Sequence, residues 1–474
     1  MGVASQGALA RGGPRASWGA AVIPSPRLAL LIGGTLLQTA AFTAWMAAPA
    51  GASGALAAWS GAGFVAAVVL LVAAGALPAS ARLACLWRGR RYRVAMAPLL
   101  VALALAVVWT GALAGDTLLH APLDPAKYAS DAASFTHFNA DLVLRGVNPY
   151  TADGRFWRAV ARFPRSAATP LRRGAYAGLS WAPPDARVRR DLAAQAADPA
   201  ARHGEFAPAS LHSYPALAFL AFVPVIWAGA GSTLPMSLLT LLALCWVIGR
   251  RLAPGERVLG WAILVANSVA VLLTLRGSFE ALAVLLAVLA WQTLDRPRWS
   301  PLLLGLAGAV KQTVWLLAPL YLLLVWRRDG WRAALARAGI ALAAFLAPNA
   351  PFMVGDPAAW ARSAALPLTL PTFPDGVGLL AFARAGLLPL WPASVYAALQ
   401  LMALVGIGVW LARARRAPRP ELALLLGMLP LALGWRSLTS YFIWLPAVAL
   451  YAALPLLRAD RAESAGPQVG AAVE

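Results

Sequence analysis

Charge is scarce in this chain. Only 12% of its 474 residues are Asp, Glu, Lys or Arg, where a soluble domain carries roughly 25%. With 60% hydrophobic residues and a mean hydropathy of +0.68, most of its outside must contact lipid, which excludes an ordinary water-soluble protein. Cysteine is scarcer still. Cys85 and Cys245 lie in or beside apolar segments without CxxC spacing, so neither a disulfide framework nor a thiolate metal site is available. Lysine is nearly missing, with Lys127 and Lys311 alone among forty basic residues. No GxxxxGK(S/T), HExxH or GxSxG pattern and no long internal repeat occurs, which removes the common soluble-enzyme readings.

The chain does contain apolar runs of about 20 residues, the length that crosses a bilayer. They predict an all-α polytopic membrane protein of about twelve crossings, near 28–49, 55–78, 95–115, 232–249, 258–275, 279–294, 300–312, 314–326, 332–352, 392–412, 420–434 and 438–457. Forty basic against nineteen acidic residues give a formal charge of +21. The arginines fall in short clusters between apolar runs, the pattern that retains loops in the cytoplasm, so the excess reads as topology rather than nucleic-acid binding.

On this reading residues 1–26 are a cytoplasmic tail before an uncleaved first span, and 27–115 hold three membrane helices. Residues 116–231 form an exoplasmic loop with juxtamembrane helices. Residues 232–457 form a C-terminal bundle with an outer loop at 353–391, and 458–474 a second cytoplasmic tail. Parity makes 214–230, which contains Pro215 and Pro224, and 377–390 re-entrant or interfacial segments on the outer side. Apart from the long loop, Arg276, Arg362, Arg384 and Arg436 are the arginines left outside. Several predicted spans are shorter than a 30 Å core requires, and short or broken helices mark cavities rather than walls.

The chemistry concentrates at one face. The segment Asp131-Ala-Ala-Ser-Phe135-Thr-His137-Phe-Asn139-Ala-Asp141-Leu-Val-Leu-Arg145-Gly146-Val-Asn148-Pro149-Tyr150 reads as an amphipathic helix closed by Gly146 and an Asn-Pro turn, with Asp131 at its dipole-favoured start. By spacing alone Asp131 is a helix-start residue; by chemistry it is a candidate base. Lys311, the one lysine within a predicted span, costs at least about 2.5 kcal/mol at the bilayer centre. It therefore snorkels or faces a cavity with an anionic partner. Arg276 and Arg436 stand at predicted outer helix ends, as interfacial anchors or as cations for an anionic substrate. Glu280 lies one turn into a predicted span, where it pairs with Arg276 at i, i+4 or lines a pocket. His137 and His212 belong to the outer loop, where histidines are more often surface residues than metal ligands. The Pro-rich segment 353–377 is a lid over the site or merely a link.

An aspartate soon after an outward-going span, an aromatic four residues later and then Gly146-Val-Asn148-Pro149-Tyr150 resembles the first exoplasmic loop of GT-C membrane glycosyltransferases, particularly glycosyltransferase family 87 and its relatives. Tyr214-Pro215-Ala-Leu resembles the Tyr-Pro-Pro-Leu that follows that loop, with Ala216 replacing the second proline. Gly305-Leu-Ala-Gly-Ala-Val-Lys311-Gln-Thr, with Pro319 beyond, resembles a Gly-Leu-Ala-x-x-x-Lys-x-x-Pro element with its proline displaced. Together these stretches span most of residues 95–330. The chain departs from the family in two extra N-terminal spans and in both proline motifs.

The resemblance implies an exoplasmic active site. A polyprenyl-phosphate-linked sugar, a hexose such as mannose or a pentose, would be its donor, a lipid or glycan its acceptor, and Asp131 the general base, with inversion. Lys311, Arg276 and Arg436 are then the donor-phosphate cations, and His137, Tyr150, His212, Tyr214 and Glu280 the substrate pocket. No cofactor or metal is indicated by these residues. The rival reading is a transporter or flippase of lipid-linked glycans, against which stand the missing inverted repeat and the one-sided polar cluster.

Overall fold

The computed structural model describes residues 25–47, 54–77, 90–120, 128–151, 159, 162–163, 168–197, 213–414 and 419–464. His212, Arg415 and Arg416 lie outside them. The described chain is all-α except for one two-residue parallel pairing and one isolated bridge.

Three long apolar helices come first: α1 (Pro26–Ala47), α2 (Gly54–Ala76) and α3 (Arg90–His120). The long-loop helices α4 (Asp131–Leu144) and α5 (Asp185–Ala197) follow, then the short α6 (Leu217–Leu220) and α7 (Val223–Trp227). The bundle continues with α8 (Leu234–Gly249), α9 (Pro254–Ala266), α10 (Ser268–Leu275), α11 (Glu280–Gln292), α12 (Trp299–Val310), α13 (Ala318–Asp329) and α14 (Trp331–Gly355). Last come α15 (Pro357–Thr369), β1 (Asp375–Gly376), α16 (Leu379–Arg384), α17 (Ala393–Arg413), α18 (Pro420–Met428), β2 (Arg436–Ser437), α19 (Thr439–Phe442) and α20 (Leu445–Ser464).

Every predicted crossing has a helix, but not every helix has the reach. By length and composition six segments can cross a membrane: α1, α2, Val94–His120, α14, α17 and Thr439–Ala462. A seventh is the pair α9 and α10 taken as one span, bent by 68°. Asn267 makes that bend: its side chain accepts from Ala270 N at 3.2 Å and donates to the carbonyl of Ile443, so a buried amide replaces the helix bonds lost at the break. α8, α11, α12 and Pro420–Leu433 are shorter apolar helices. Of the about twelve expected crossings, six or seven therefore meet this length and composition test among the described residues. α11 and α12, at 13 and 12 residues, reach only about 18–20 Å.

These short helices form a hairpin. Arg328 and Arg337 both donate to the carbonyl of Leu294, just after α11, at 2.8 and 2.6 Å, so the end of α13 and the start of α14 close over the base of the hairpin. At the opposite end Glu280 opens α11 and Lys311 closes α12 in extended conformation, φ −148° and ψ 131°. The hairpin can pack this tightly because Gly305 has no side chain: a Cβ there would sit 2.1 Å from the carbonyl oxygen of Ala341 on α14.

The base of the bundle also explains many of the arginines. Arg27 donates to the carbonyls of Ala74 and Leu77 at 2.6 and 3.0 Å, and Arg419 to Gly75 and Ala76, all at the C-terminus of α2. Arg327 donates to Leu411 and Ala414 at the end of α17, and Arg458 to Arg251 beyond α8. The last carbonyls of a helix have no partner within it and carry partial negative charge. Arginines on neighbouring segments supply the missing donors. Residues that read from sequence as a topology signal are therefore also the caps of adjacent helices.

Candidate active site

The opposite end of the bundle carries the candidate site. α4 starts as predicted: Ser130, extended at φ −156° and ψ 164°, accepts from Ala133 N as N-cap, and Asp131 is the first helical residue. The helix ends before Gly146, at φ +69°, and Asn148 Oδ1 accepts from Tyr150 N at 3.0 Å in the predicted Asn-Pro turn. The start of α4 is docked on the turn between α10 and α11. Ala129 N donates to the carbonyl of Arg276 at 3.2 Å. Gly277, at φ +93°, has no room for a Cβ, which would lie 2.9 Å from both Ala133 and Tyr128.

Asp131 is half-buried. One carboxylate oxygen accepts from Ala132 N at 2.7 Å, the other from Thr169 N at 2.8 Å. Thr169 belongs to a strand-like stretch that continues through the bridge Leu171↔Thr372, with Arg172 N donating to the carbonyl of Pro371 at 2.8 Å. Trp435 Nε1 donates to the carbonyl of Thr372 at 3.0 Å, and β1 pairs with β2 in the register Asp375↔Arg436. The long loop, whose Thr169 bonds Asp131, is thus tied to the Pro-rich segment 353–377 and through it to the chain around Arg436.

Glu280 does not pair with Arg276. Its partner is Lys311, buried like Glu280 itself, and Ser278 Oγ also donates to the Glu280 carboxylate. A buried ion pair is what the cost of an intramembrane lysine demands, and it replaces the snorkelling alternative. The Lys311 ammonium also lies over the ring faces of Phe279 and Tyr441, at 5.3 and 4.9 Å. Tyr214 packs edge-on against Phe279, ring centroids 4.8 Å apart, within electrostatic reach of Asp131, Tyr441, Glu280 and Arg436. Beneath this polar group opens a cavity. Glu280, Lys311, Ser440 and Tyr441 line its polar end, and its walls include Leu424, Met428 and Val448.

Arg276 is half-buried, and among the described residues its Nε is buried without a hydrogen-bond partner. Arg436 lies on β2 within electrostatic reach of both Tyr214 and Asp375. The structure therefore brings Asp131, Arg276, Tyr214, Glu280, Lys311 and Arg436 together around one region.

Two other candidates are struts. Tyr150 is buried, and its hydroxyl donates to the carbonyl of Tyr214 at 2.9 Å. With Gln312, which donates to Ser213 O, and Asn349, which accepts from Ala216 N at 3.0 Å, it clamps the Tyr214-Pro215 segment. His137, on α4 itself, is buried, bonded to Tyr128 and packed on Phe163. It faces the helix packing rather than the cavity.

Sequence reasoning missed Tyr441, Ser440 and Phe279, which lay inside or beside stretches read as plain membrane spans. Asp375 lay within the Pro-rich segment 353–377 without being singled out. Burial pushes the Asp375 carboxyl above the usual carboxylate range, opposed by Arg436 and Arg384. Among the described residues no group of three or more His, Cys, Asp or Glu is placed to hold a metal ion.

Residues 212–434 match the sequence model of glycosyltransferase family 87. No curated protein and no solved structure matches the chain. The match takes in Tyr214, Arg276, Glu280, Lys311 and the Pro-rich outer segment; Asp131 lies before it and Arg436 just after. The chain is a membrane protein of the glycosyltransferase class, similar to glycosyltransferase family 87 across residues 212–434.

Proposed function

We propose that the protein transfers a hexose or pentose from a polyprenyl phosphate to a lipid or glycan acceptor on the exoplasmic face, with Asp131 as general base. The observation that carries this reading is the cavity with Lys311 and Glu280 at one end and apolar walls beyond. A cavity of that polarity suits an amphiphile with a charged head and a hydrocarbon tail.

The charges support a phosphodiester donor. Arg276, Lys311 and Arg436 supply three positive charges to hold an anionic phosphodiester, facing the carboxyls of Asp131, Glu280 and, beside Arg436, Asp375. In a single displacement the acceptor oxygen bonds to the anomeric carbon as its proton passes to Asp131. The bond from that carbon to the phosphate oxygen breaks, and its electron pair leaves on the phosphate. The phosphate monoester gains one negative charge as Asp131 loses one, so the step leaves the net charge of the site unchanged. Attack opposite the leaving group inverts the anomeric centre.

Purified protein supplied with synthetic polyprenyl-phosphate hexoses and pentoses, and with a lipid extract as acceptor, should release free polyprenyl phosphate with one of them. A transporter or flippase would move the same lipids across vesicle membranes without cleaving them, and that result would overturn the proposal.

A further inference from the structure

We infer that Glu280 sets how tightly the carrier phosphate is held, by competing with it for the Lys311 ammonium. The inference rests on the function proposed above. Both side chains line the same cavity, so a phosphate that enters it meets them together. Glu280 is the hydrogen-bond and ion-pair partner of Lys311 among the described residues, and Lys311 has three N–H donors, so the ammonium can be shared.

Both partners are held in place before any ligand arrives. Glu280 is the first residue of α11 and accepts from Ser278 Oγ. Lys311 is fixed by the extended break after α12 and by the rings of Phe279 and Tyr441. A buried ammonium with no anion beside it would grip a phosphate monoester strongly, since little water screens the attraction there. That monoester is the product, and a site that grips its product turns over slowly. With Glu280 present, phosphate gains Lys311 only by weakening an ion pair already made. The carboxylate lowers affinity for the spent carrier and favours its release.

The test measures binding of a polyprenyl monophosphate to the purified full-length chain in detergent, with the polyprenol of equal length as control for the tail. Glu280→Gln should bind the monophosphate about tenfold more tightly or better, with polyprenol binding unchanged and with turnover reduced. Lys311→Met should weaken monophosphate binding by about the same factor, and most of the gain from Glu280→Gln should vanish in the double variant. Because Glu280→Gln leaves a buried ammonium unpaired and can impair folding, Glu280→Asp is the second variant. Its shorter side chain loosens the pair while keeping the charge, and it should tighten monophosphate binding several-fold.

Monophosphate binding that stays unchanged or weakens in both Glu280 variants would overturn the inference while leaving the carrier reading standing. Wild-type protein that does not distinguish monophosphate from polyprenol would remove the carrier reading, and this inference with it.

Discussion

The hydroxyl of Tyr128 and Nδ1 of His137 lie 2.7 Å apart, and the same hydroxyl accepts from Thr233 N at 3.0 Å. With its acceptor side used by Thr233, the phenol donates its proton to His137, which is then neutral with its ring proton on Nε2. Three segments, the approach to α4, α4 itself and the start of α8, are tied at one point. Burial holds His137 down at about 4 and pushes Tyr128 up to about 12.

This network makes stability depend on pH. The folded protein keeps His137 neutral down to about pH 4, whereas the unfolded chain protonates it near pH 6.5. Between those values the unfolded state binds more protons, so stability falls as pH falls, by up to about 3 kcal/mol at roughly 1.4 kcal/mol per pH unit. Thermal unfolding in detergent at pH 7, 5 and 4 should show a steeper decline for wild type than for His137→Gln, which cannot titrate. Parallel declines would mean that His137 is not the group responsible.

Asp131 and Asp141 lie on the same helix in different surroundings. Asp141 pairs with Arg162, while Asp131 stands at the docked end beside Arg276 and Tyr214. Asp131→Asn keeps the size and one of the two backbone hydrogen bonds but not the basicity, and should lower turnover by about 10²-fold or more with normal expression and donor binding. Asp141→Asn should stay within about tenfold. Steady-state transfer rates decide between them, and the reverse order would move the base to Asp141.

Orientation can be tested on exposed arginines. In a background free of Cys85 and Cys245, an impermeant thiol reagent applied to intact cells should label Arg173→Cys on the outer loop and not Arg298→Cys at the hairpin base, both exposed positions. Labelling of Arg298→Cys from outside would invert the protein and place the candidate site in the cytoplasm.

Arg337 is the most buried of the arginines that close the hairpin. It donates to Leu294 O at 2.6 Å and to Asp329 at 2.8 Å. Removing it takes one of two donors from each acceptor, Arg328 keeping the other, so Arg337→Ala should cost about 1–2 kcal/mol of stability. The melting temperature in detergent should drop clearly, and more than for Arg298→Ala, which is exposed. Equal melting temperatures would show that the capping adds nothing.

Composition and apolar periodicity determined the class of the molecule. Too little charge and too many long apolar runs leave an all-α membrane protein, and local chemistry at Ser130, Asp131, Gly146 and Asn148 was enough to place α4 and both its ends. These are short-range properties, set by capping, turn geometry and the solvent each side chain needs. Which helices reach across a bilayer was not legible, because an apolar run looks the same whether the chain continues or turns back, as it does at Lys311.

Partners were not legible either. Spacing suggested Arg276 for Glu280, four residues away, but the carboxylate belongs to Lys311 at a separation of 31 residues, because the α11–α12 hairpin brings their ends together inside a low-dielectric core. Likewise only the packing of three distant segments decided that Thr169 bonds Asp131 and is tied through Thr372 to the chain around Arg436, and that His137 supports the helix instead of facing the cavity. A sequence specifies which groups must be paired; the path of the chain chooses the pairs.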